Sequence, residues 1–273
     1  MKKEMRKIVA IVTGGRSGIG RAVAEELAAQ GVTVYVPGRT PFAAEGIRFI
    51  QADVSSEQEV RCAVQAVMEK EGQIDLLVNG AGYGLLSAVE LTPVEEARRQ
   101  LDVNFFGTVM MTAAVLPVMR KQNKGRIVNI SSLAAAAPLP FQAYYSVSKA
   151  AVDTYTDALR NEVKPYGIDC CCVLPGDTRT GFTAARRTIQ DGSGTYGKRV
   201  AASLEKQSRF EQEGIDPKIS GKRIARICLT GKIRGIYLLD PLSYLEWLLL
   251  KFLPHDASRA ILGLLYGEWD KNR

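Results

Sequence analysis

The chain is predicted to be an α/β protein, a doubly wound parallel sheet with helices on both faces and an apolar helical extension at its C-terminus. Three observations carry this expectation. Apolar runs of strand length alternate with stretches of helical character along most of the 273 residues. Alternation of this kind implies right-handed crossovers and a parallel sheet. Most of the strand runs are continuously apolar, as expected when both sheet faces are covered. The first run also passes through a glycine-rich turn directly into a helix.

Taken in order, Ile8-Val9-Ala10-Ile11-Val12 reads as a buried strand, and the Ala- and Glu-rich stretch from Arg21 to Ala29 as the helix after it. Strands are expected at 8–12, 32–36, 47–51, 74–79, 125–130 and 168–174, with a last one near 235–239. Helices are expected at 18–30, 57–71, 93–120 and 144–165. The short stretch between Arg39 and Asp53 reads as a loop. Asp216-Pro217 looks like a helix start, with Asp as the cap and Pro in the first position. Two short apolar helices close the chain, Tyr244 to Leu253 and, after Pro254, Ala260 to Tyr266.

The turn between the first strand and helix is Thr13-Gly14-Gly15-Arg16-Ser17-Gly18-Ile19-Gly20. Strand, glycine turn and helix form the setting of a dinucleotide site. Glycines let the backbone approach a pyrophosphate, and the helix N-terminus offers free N–H donors and a favourable dipole. The three-residue gap between Gly14 and Gly18 differs from the usual G-x-G-x-x-G. A second constellation lies between Ser132 and Lys149. Tyr145 and Lys149, four apart on a helix, share a face. An ammonium there favours the phenolate and makes Tyr145 a usable acid and base near neutral pH. Ser132, across a loop, is placed to hold a substrate oxygen. Ser131 and Tyr144 are adjacent decoys, because only Tyr145 has a lysine four residues later.

Together these motifs resemble the short-chain dehydrogenase/reductase family of nicotinamide enzymes. The T-G-x-x-x-G-I-G turn, the Y-x-x-x-K pair and the serine thirteen positions before the tyrosine match. So does Asn79-Gly80-Ala81-Gly82, with Gly80 replacing the family's second Asn. Asn104 falls where the family has its fourth catalytic residue, and Pro175-Gly176-Asp177-Thr178-Arg179-Thr180 matches its P-G-x-x-x-T segment. The resemblance implies one Rossmann-type catalytic domain over 1–273, with catalytic residues Asn104, Ser132, Tyr145 and Lys149. In that scheme Tyr145 exchanges a proton with the substrate and Ser132 hydrogen-bonds its oxygen. Lys149 holds the nicotinamide ribose, and Asn104 anchors a water linking Lys149 to solvent. The implied cofactor contacts are Gly14, Arg16, Ser17, Gly18, Ile19, Gly20, Asp53, Val54, Asn79, Ala81, Gly82, Tyr145, Lys149, Pro175, Gly176, Thr178 and Thr180. It also implies a homodimer or homotetramer paired through helices 93–120 and 144–165.

Cofactor preference is read after the second strand. An NAD enzyme carries an acid there for the ribose 2′-hydroxyl. Here Pro37-Gly38-Arg39-Thr40 carries none. Arg39, Arg16 and Thr40 suit a 2′-phosphate, which favours NADP(H), although solvated arginines also fit the sequence. Asp53 reads either as an adenine contact or as a helix cap before Ser55 and Glu57.

Composition agrees and excludes other classes. With 46% hydrophobic and 24% charged residues, the chain suits a single α/β core. No signal peptide is visible, and no apolar run approaches the length that crosses a bilayer. Cys62, Cys170, Cys171, Cys172 and Cys228 read as free thiols in a reducing cytoplasm. With no C-x-x-C and a single histidine, His255, a metal site is not expected, which disfavours a zinc dehydrogenase. The net charge of +7 suits an anionic cofactor, and no nucleic-acid partner is expected. A non-enzymatic redox sensor predicts a broken catalytic set, yet all four residues are present.

The segment 181–214, polar and rich in Arg and Lys, reads as a mobile substrate lid. The extension at 241–273 has three readings: a wall of an apolar pocket, a subunit contact or a peripheral membrane anchor. Lys198, Arg199, Lys222, Arg223, Lys232 and Arg234 lend the third some weight. Substrate contacts are expected from Ser132, Leu139, Tyr144, Tyr145 and Phe182, with Leu133, Ala134 and Phe141 nearby. Mostly apolar, they suggest a bulky hydrophobic ketone or alcohol. Pro138-Leu139-Pro140-Phe141 resembles hydroxysteroid members of the family, with 3-oxoacyl-(carrier protein) reductase as the alternative.

Overall fold

The computed structural model describes residues 7–189 and 194–266, so parts of the expected lid and extension lie outside the described residues. The first half contains β1 (Val9–Val12), α1 (Gly18–Ala29), β2 (Thr33–Gly38), β3 (Ile47–Gln51), α2 (Glu57–Glu71), β4 (Leu76–Asn79) and β5 (Leu85–Leu86). Next come α3 (Val94–Leu101), a π-turn at Asp102–Phe106, α4 (Gly107–Gln122), β6 (Gly125–Ile130), α5 (Ala143–Val163) and β7 (Ile168–Leu174). The C-terminal part contains α6 (Phe182–Ala185), β8 (Arg187–Thr188), α7 (Gly197–Glu213), α8 (Pro217–Leu229), β9 (Ile236–Leu238), α9 (Pro241–Phe252) and α10 (His255–Tyr266).

Seven strands form one parallel sheet in the order β3-β2-β1-β4-β6-β7-β9. The winding direction reverses between β1 and β4, and a cleft opens at the carboxyl ends of the strands there. The strands are apolar throughout because each face has its own core. α1 and α8 cover one face, burying Val23, Leu27, Ile224 and Ala225 against Val12, Val34 and Val78. α2, α4 and α5 cover the other, with Val64, Met111, Val115 and Leu159 around Ile11, Leu77 and Ile127. The cysteine run shows the alternation of a strand. Cys171 enters the first core, and its neighbours Cys170 and Cys172 face the opposite side. Burial pushes the Cys171 thiol up to about 12, which leaves it inert.

The structure departs from the sequence expectations in five places. The helix expected at 93–120 is broken by the π-turn that carries Asn104. Asp53 is not the cap of α2. Ser56 takes that place and accepts from the Glu59 N–H, while Asp53 accepts from the backbone and hydroxyl of Ser55. Much of the expected lid is ordered as helix, since Val200, Ser203 and Gln207 form a buried stripe along α7. The small parallel sheet β5–β8, which pins the start of this segment, had no sequence signal. Finally, Val94–Gln122 taken as one helix is long and apolar enough to cross a membrane by length and composition. Its Met111, Val115 and Met119 are committed to the second core. Asp216 does cap α8, accepting from the Lys218 N–H at 2.8 Å.

Candidate active site

The cleft has a volume of about 600 Å³, within the range of small-molecule sites. One end is lined by Gly14, Arg16, Ser17, Gly18, Ile19, Gly20 and Arg39, the other by Ser132, Leu139, Tyr145, Lys149 and Phe182. At the glycine turn, Gly14 has φ +69, and a Cβ there would lie 2.5 Å from the Gly80 carbonyl oxygen. That turn and the strand end at Gly80 are therefore in backbone contact, held by the Thr13 hydroxyl, which accepts from the N–H groups of Gly80 and Ala81 at 3.0 and 3.1 Å. A Cβ on Gly80 would itself lie 2.9 Å from the Thr13 carbonyl oxygen, so glycine suits that position. Ser17, at the N-cap of α1, makes no side-chain capping bond, so the first-turn N–H groups are available to an anion. Arg16 and Arg39 form no ion pair among the described residues. A cradle of free backbone donors flanked by two unpaired guanidinium groups fits the phosphates of a dinucleotide.

The reactive end is built on α5, β6 and the π-turn. Tyr145 and Lys149 lie one turn apart on α5, both buried. Burial pushes the Tyr145 phenol up to about 12, opposed by its hydrogen bond with Ser132. Burial also pushes Lys149 down to about 8. Its Nζ donates to the Ile130 carbonyl at 2.8 Å and lies 5.9 Å from the centre of the Tyr145 ring. The acidification of Tyr145 expected from Lys149 is therefore not its main influence here. Both groups are desolvated, and Ser132 is the neighbour that most lowers the phenol. Asn104 donates to the Tyr83 carbonyl (3.0 Å) and to Ser148 Oγ (3.1 Å), and accepts from the Tyr83 N–H (3.0 Å). A Cβ on Gly82 would lie 3.1 Å from Asn104 Oδ1 and 3.7 Å from Lys149 Nζ, so the lack of a side chain there leaves the Asn104–Lys149 corner open. Ser131, the decoy, donates to the Lys149 carbonyl and is buried.

Pro175, Gly176, Thr178 and Thr180 also line the cleft, as does Gly82. Other expected contacts do not reach its wall. The Asn79 amide points into the interior, donating to Asn129 Oδ1 (2.8 Å) and Thr112 Oγ1 (3.2 Å). Val54 packs on Gly107, and Thr40, Asp53, Ala81, Phe141 and Tyr144 lie off the lining. Arg39 nevertheless acts on Asp53, whose carboxyl is lowered by the Ser55 hydrogen bonds and the arginine charge against the cost of burial.

Several lining residues carried no sequence signal: Tyr83, Gln142, Asp177, Glu211 and Glu246. Gln142 is bonded to Gln207 of α7. Glu211, also on α7, pairs with Arg186 and accepts from Thr183. Phe182 packs on Tyr145 with ring centres 5.6 Å apart. Only spatial convergence gives Tyr83, Gln142, Asp177, Glu211 and Glu246 a place in the site, whereas Phe182 was expected there.

Comparison with known proteins agrees with this geometry. A family model described as short chain dehydrogenase matches residues 8–191. The 3-ketodihydrosphingosine reductase of Bacteroides thetaiotaomicron is 40% identical over 227 residues, covering 82% of this chain and 84% of that protein. The crystal structure of a short-chain dehydrogenase from Streptomyces avermitilis superposes with a TM-score of 0.80 at 29% identity, covering 96% of both chains. A 3-ketoacyl-(acyl-carrier-protein) reductase from Brucella melitensis, complexed with NADH, gives 0.72 at 27% identity, covering 85% of this chain and 95% of that one. With the motifs in order, the sheet wound as expected and the serine, tyrosine and lysine gathered at one end of its cleft, the chain belongs to the short-chain dehydrogenase family of oxidoreductases.

Proposed function

We propose that this chain is an NADP(H)-dependent reductase of a lipid-like ketone, interconverting a ketone and a secondary alcohol. The observation that carries the reading is the Ser132–Tyr145–Lys149 group at the apolar end of a cleft whose other end holds two unpaired arginines. The nicotinamide, when bound, supplies or accepts the hydride. Tyr145 gives its proton to the carbonyl oxygen during reduction and takes it back during oxidation. Ser132 holds that oxygen and stabilises the charge that develops on it. Lys149, with its ammonium already weakened by burial, returns a proton toward Tyr145. Asn104 orders the corner beside Lys149 through its bonds to Tyr83 and Ser148.

Arg16 and Arg39 support a 2′-phosphate, against which stands the NADH in the Brucella neighbour. Leu133, Ala134, Ala137, Leu139 and Phe182 make an apolar substrate wall. Of the substrate classes named from the sequence, we favour the long-chain lipid ketone over the hydroxysteroid. The relative named for 3-ketodihydrosphingosine supports that choice, and the Brucella neighbour supports the 3-oxoacyl alternative. The exposed side chains Leu242, Leu245, Phe252 and Leu264 on α9 and α10 suit peripheral docking to a membrane. Exposed Phe106 in the π-turn and Val147 on α5 suit a homo-oligomer contact. Free thiols fit residence in the cytoplasm.

The test is oxidation of NADPH and NADH against steroid ketones, long-chain ketones and 3-oxoacyl thioesters. Turnover of long-chain ketones with NADPH is the expected result. Preference for thioesters moves the substrate to the acyl class, and preference for NADH removes the role given to Arg39.

A further inference from the structure

We propose that α9 and α10 seat on a lipid bilayer, and that the ketone passes from that bilayer into the cleft at the rim these helices form. The entry route rests on the reading of a lipid-like ketone as substrate. Most of the large apolar side chains left exposed among the described residues lie on these two helices. On α9, Leu242, Leu245, Leu249 and Phe252 recur at helical spacing and share one outward face. Phe252 is 81% exposed. Ile261, Leu264 and Leu265 form a similar outward face on α10. The other sides of both helices are committed to the protein. Trp247 packs on the Val152, Cys172 and Leu174 cluster, and Ser258 and Leu262 of α10 are buried.

Size and chemistry decide what covers this face. Each helix has 12 residues and is about 18 Å long. Side by side the pair presents about 400 Å², roughly half of what each partner of a stable protein pair buries. A bilayer sets no such threshold, because each apolar side chain enters it on its own. The flank of the α9 stripe has the composition of a water–lipid boundary. Lys251 holds its ammonium 4.0 Å from the centre of the Trp247 ring, and the Tyr244 ring lies 6.4 Å from the same ring. Aromatic rings and a lysine stem laid along apolar surface suit that boundary. Within the two helices Lys251 and Arg259 balance Glu246 and Asp256, so apolar insertion drives the docking and a zwitterionic lipid suffices.

The face is continuous with the catalytic cleft. Glu246 lines the cleft, and on the surface of α9 it neighbours Leu242 and Leu249, four and three residues away. On α10, Arg259 donates to the Ala136 carbonyl at 3.4 Å, beside Ala134 and Ala137 of the apolar substrate wall. The two helices therefore form part of the rim at the apolar end of the cleft. A ketone on a long chain that enters there keeps its chain in apolar surroundings throughout.

The experiment is co-sedimentation of the full chain with phosphatidylcholine vesicles, comparing the wild type with Leu249→Glu, Phe252→Glu and Val89→Glu. Loss of one buried apolar side chain corresponds to about 10- to 100-fold in a partition constant, and the first two variants are expected to bind vesicles more weakly by that factor. Val89 is 58% exposed but lies outside these helices, and Val89→Glu is expected to bind as the wild type does. A wild type that stays in the supernatant, or α9 variants that bind as it does, overturns the docking. Self-association abolished by Leu249→Glu and Phe252→Glu, without vesicle binding by the wild type, assigns the face to a second copy and overturns the proposal.

Turnover with NADPH is then compared on a long-chain ketone held in the vesicles and a short, water-soluble ketone. The two α9 variants are expected to lose about tenfold or more on the vesicle-held ketone and to keep the wild-type rate on the soluble one. Weakened vesicle binding with no loss on the vesicle-held ketone, or with equal loss on both, removes the entry route. Vesicle binding with the expected losses in the variants, but no turnover of either ketone, sustains the docking surface while the reductase reading falls, and the entry route with it.

Discussion

On the wall of the cleft formed by β1, β4, β6 and α5, polar groups are held by the backbone or by one another. Thr13 ties two loops together, Lys149 is anchored to Ile130, and Asn104 bridges Tyr83 and Ser148. The opposite wall, formed after β7, is held by long side chains. Arg186 meets Glu211, and Gln142 meets Gln207. The first wall is tied together by these bonds, although the Tyr83 hydroxyl and Asn79 Oδ1 find no partner among the described residues. The second leaves the carboxylates of Asp177 and Glu246 on the cleft without a partner among the described residues. Chemistry common to a family is carried on rigid elements, whereas the choice of substrate is left to a wall held by side chains.

The comparison is broken most directly at Tyr145. Tyr145→Phe is expected to lower kcat about 10²- to 10⁴-fold while the protein still binds dinucleotide, measured by cofactor fluorescence beside turnover. Retained turnover would show that the rigid wall does not carry the chemistry. At the other end of the cleft, Arg39→Ala is expected to lower the NADPH-to-NADH ratio of kcat/KM about tenfold, read from initial rates with each cofactor. An unchanged ratio would leave Arg39 as a solvated surface group.

The smallest effect tests the open wall. The Asp177 carboxyl is raised to about 6, so the folded state holds its proton more tightly than the unfolded chain does. Stability from this group is therefore present below about pH 4 and is lost as pH rises through 6. The groups facing it are Glu211, Glu246, Asp240 and Arg186. Asp177→Asn removes the penalty, and its Tm is expected to exceed that of the wild type by about 2 °C at pH 7.5. The difference should shrink toward pH 4 in a thermal melt. A lower Tm at pH 7.5 would mean that the carboxylate is structural and that the two walls do not differ in this way.

Much of the first wall was legible in the sequence because its signals are local. A strand running into Gly14 and Gly18 and then a helix, or a lysine one turn after a tyrosine, encodes its geometry within a few residues. Reading stopped where direction matters. Asn79 belongs to a matched motif, yet its amide turns inward to Asn129 and Thr112. Tyr144, one residue from Tyr145, sits 100° around the helix and misses the cleft. The polar composition of 181–214 suggested a loop, but three buried positions at helical spacing made α7.

The sequence by itself determined the winding of the sheet, the position of the dinucleotide turn and the identity of the reactive tyrosine and lysine. Each follows from periodicity and short spacing, which act along the chain. Tertiary structure alone decided that Asp177, Glu211 and Glu246 meet beside Tyr145, that Arg186 is already committed to Glu211, and that Lys149 and Tyr145 are both desolvated. Residues from the loop after β7, from α7 and from α9 are brought together by packing between elements far apart in sequence. The balance of charge and solvent they create exists only after that packing is complete.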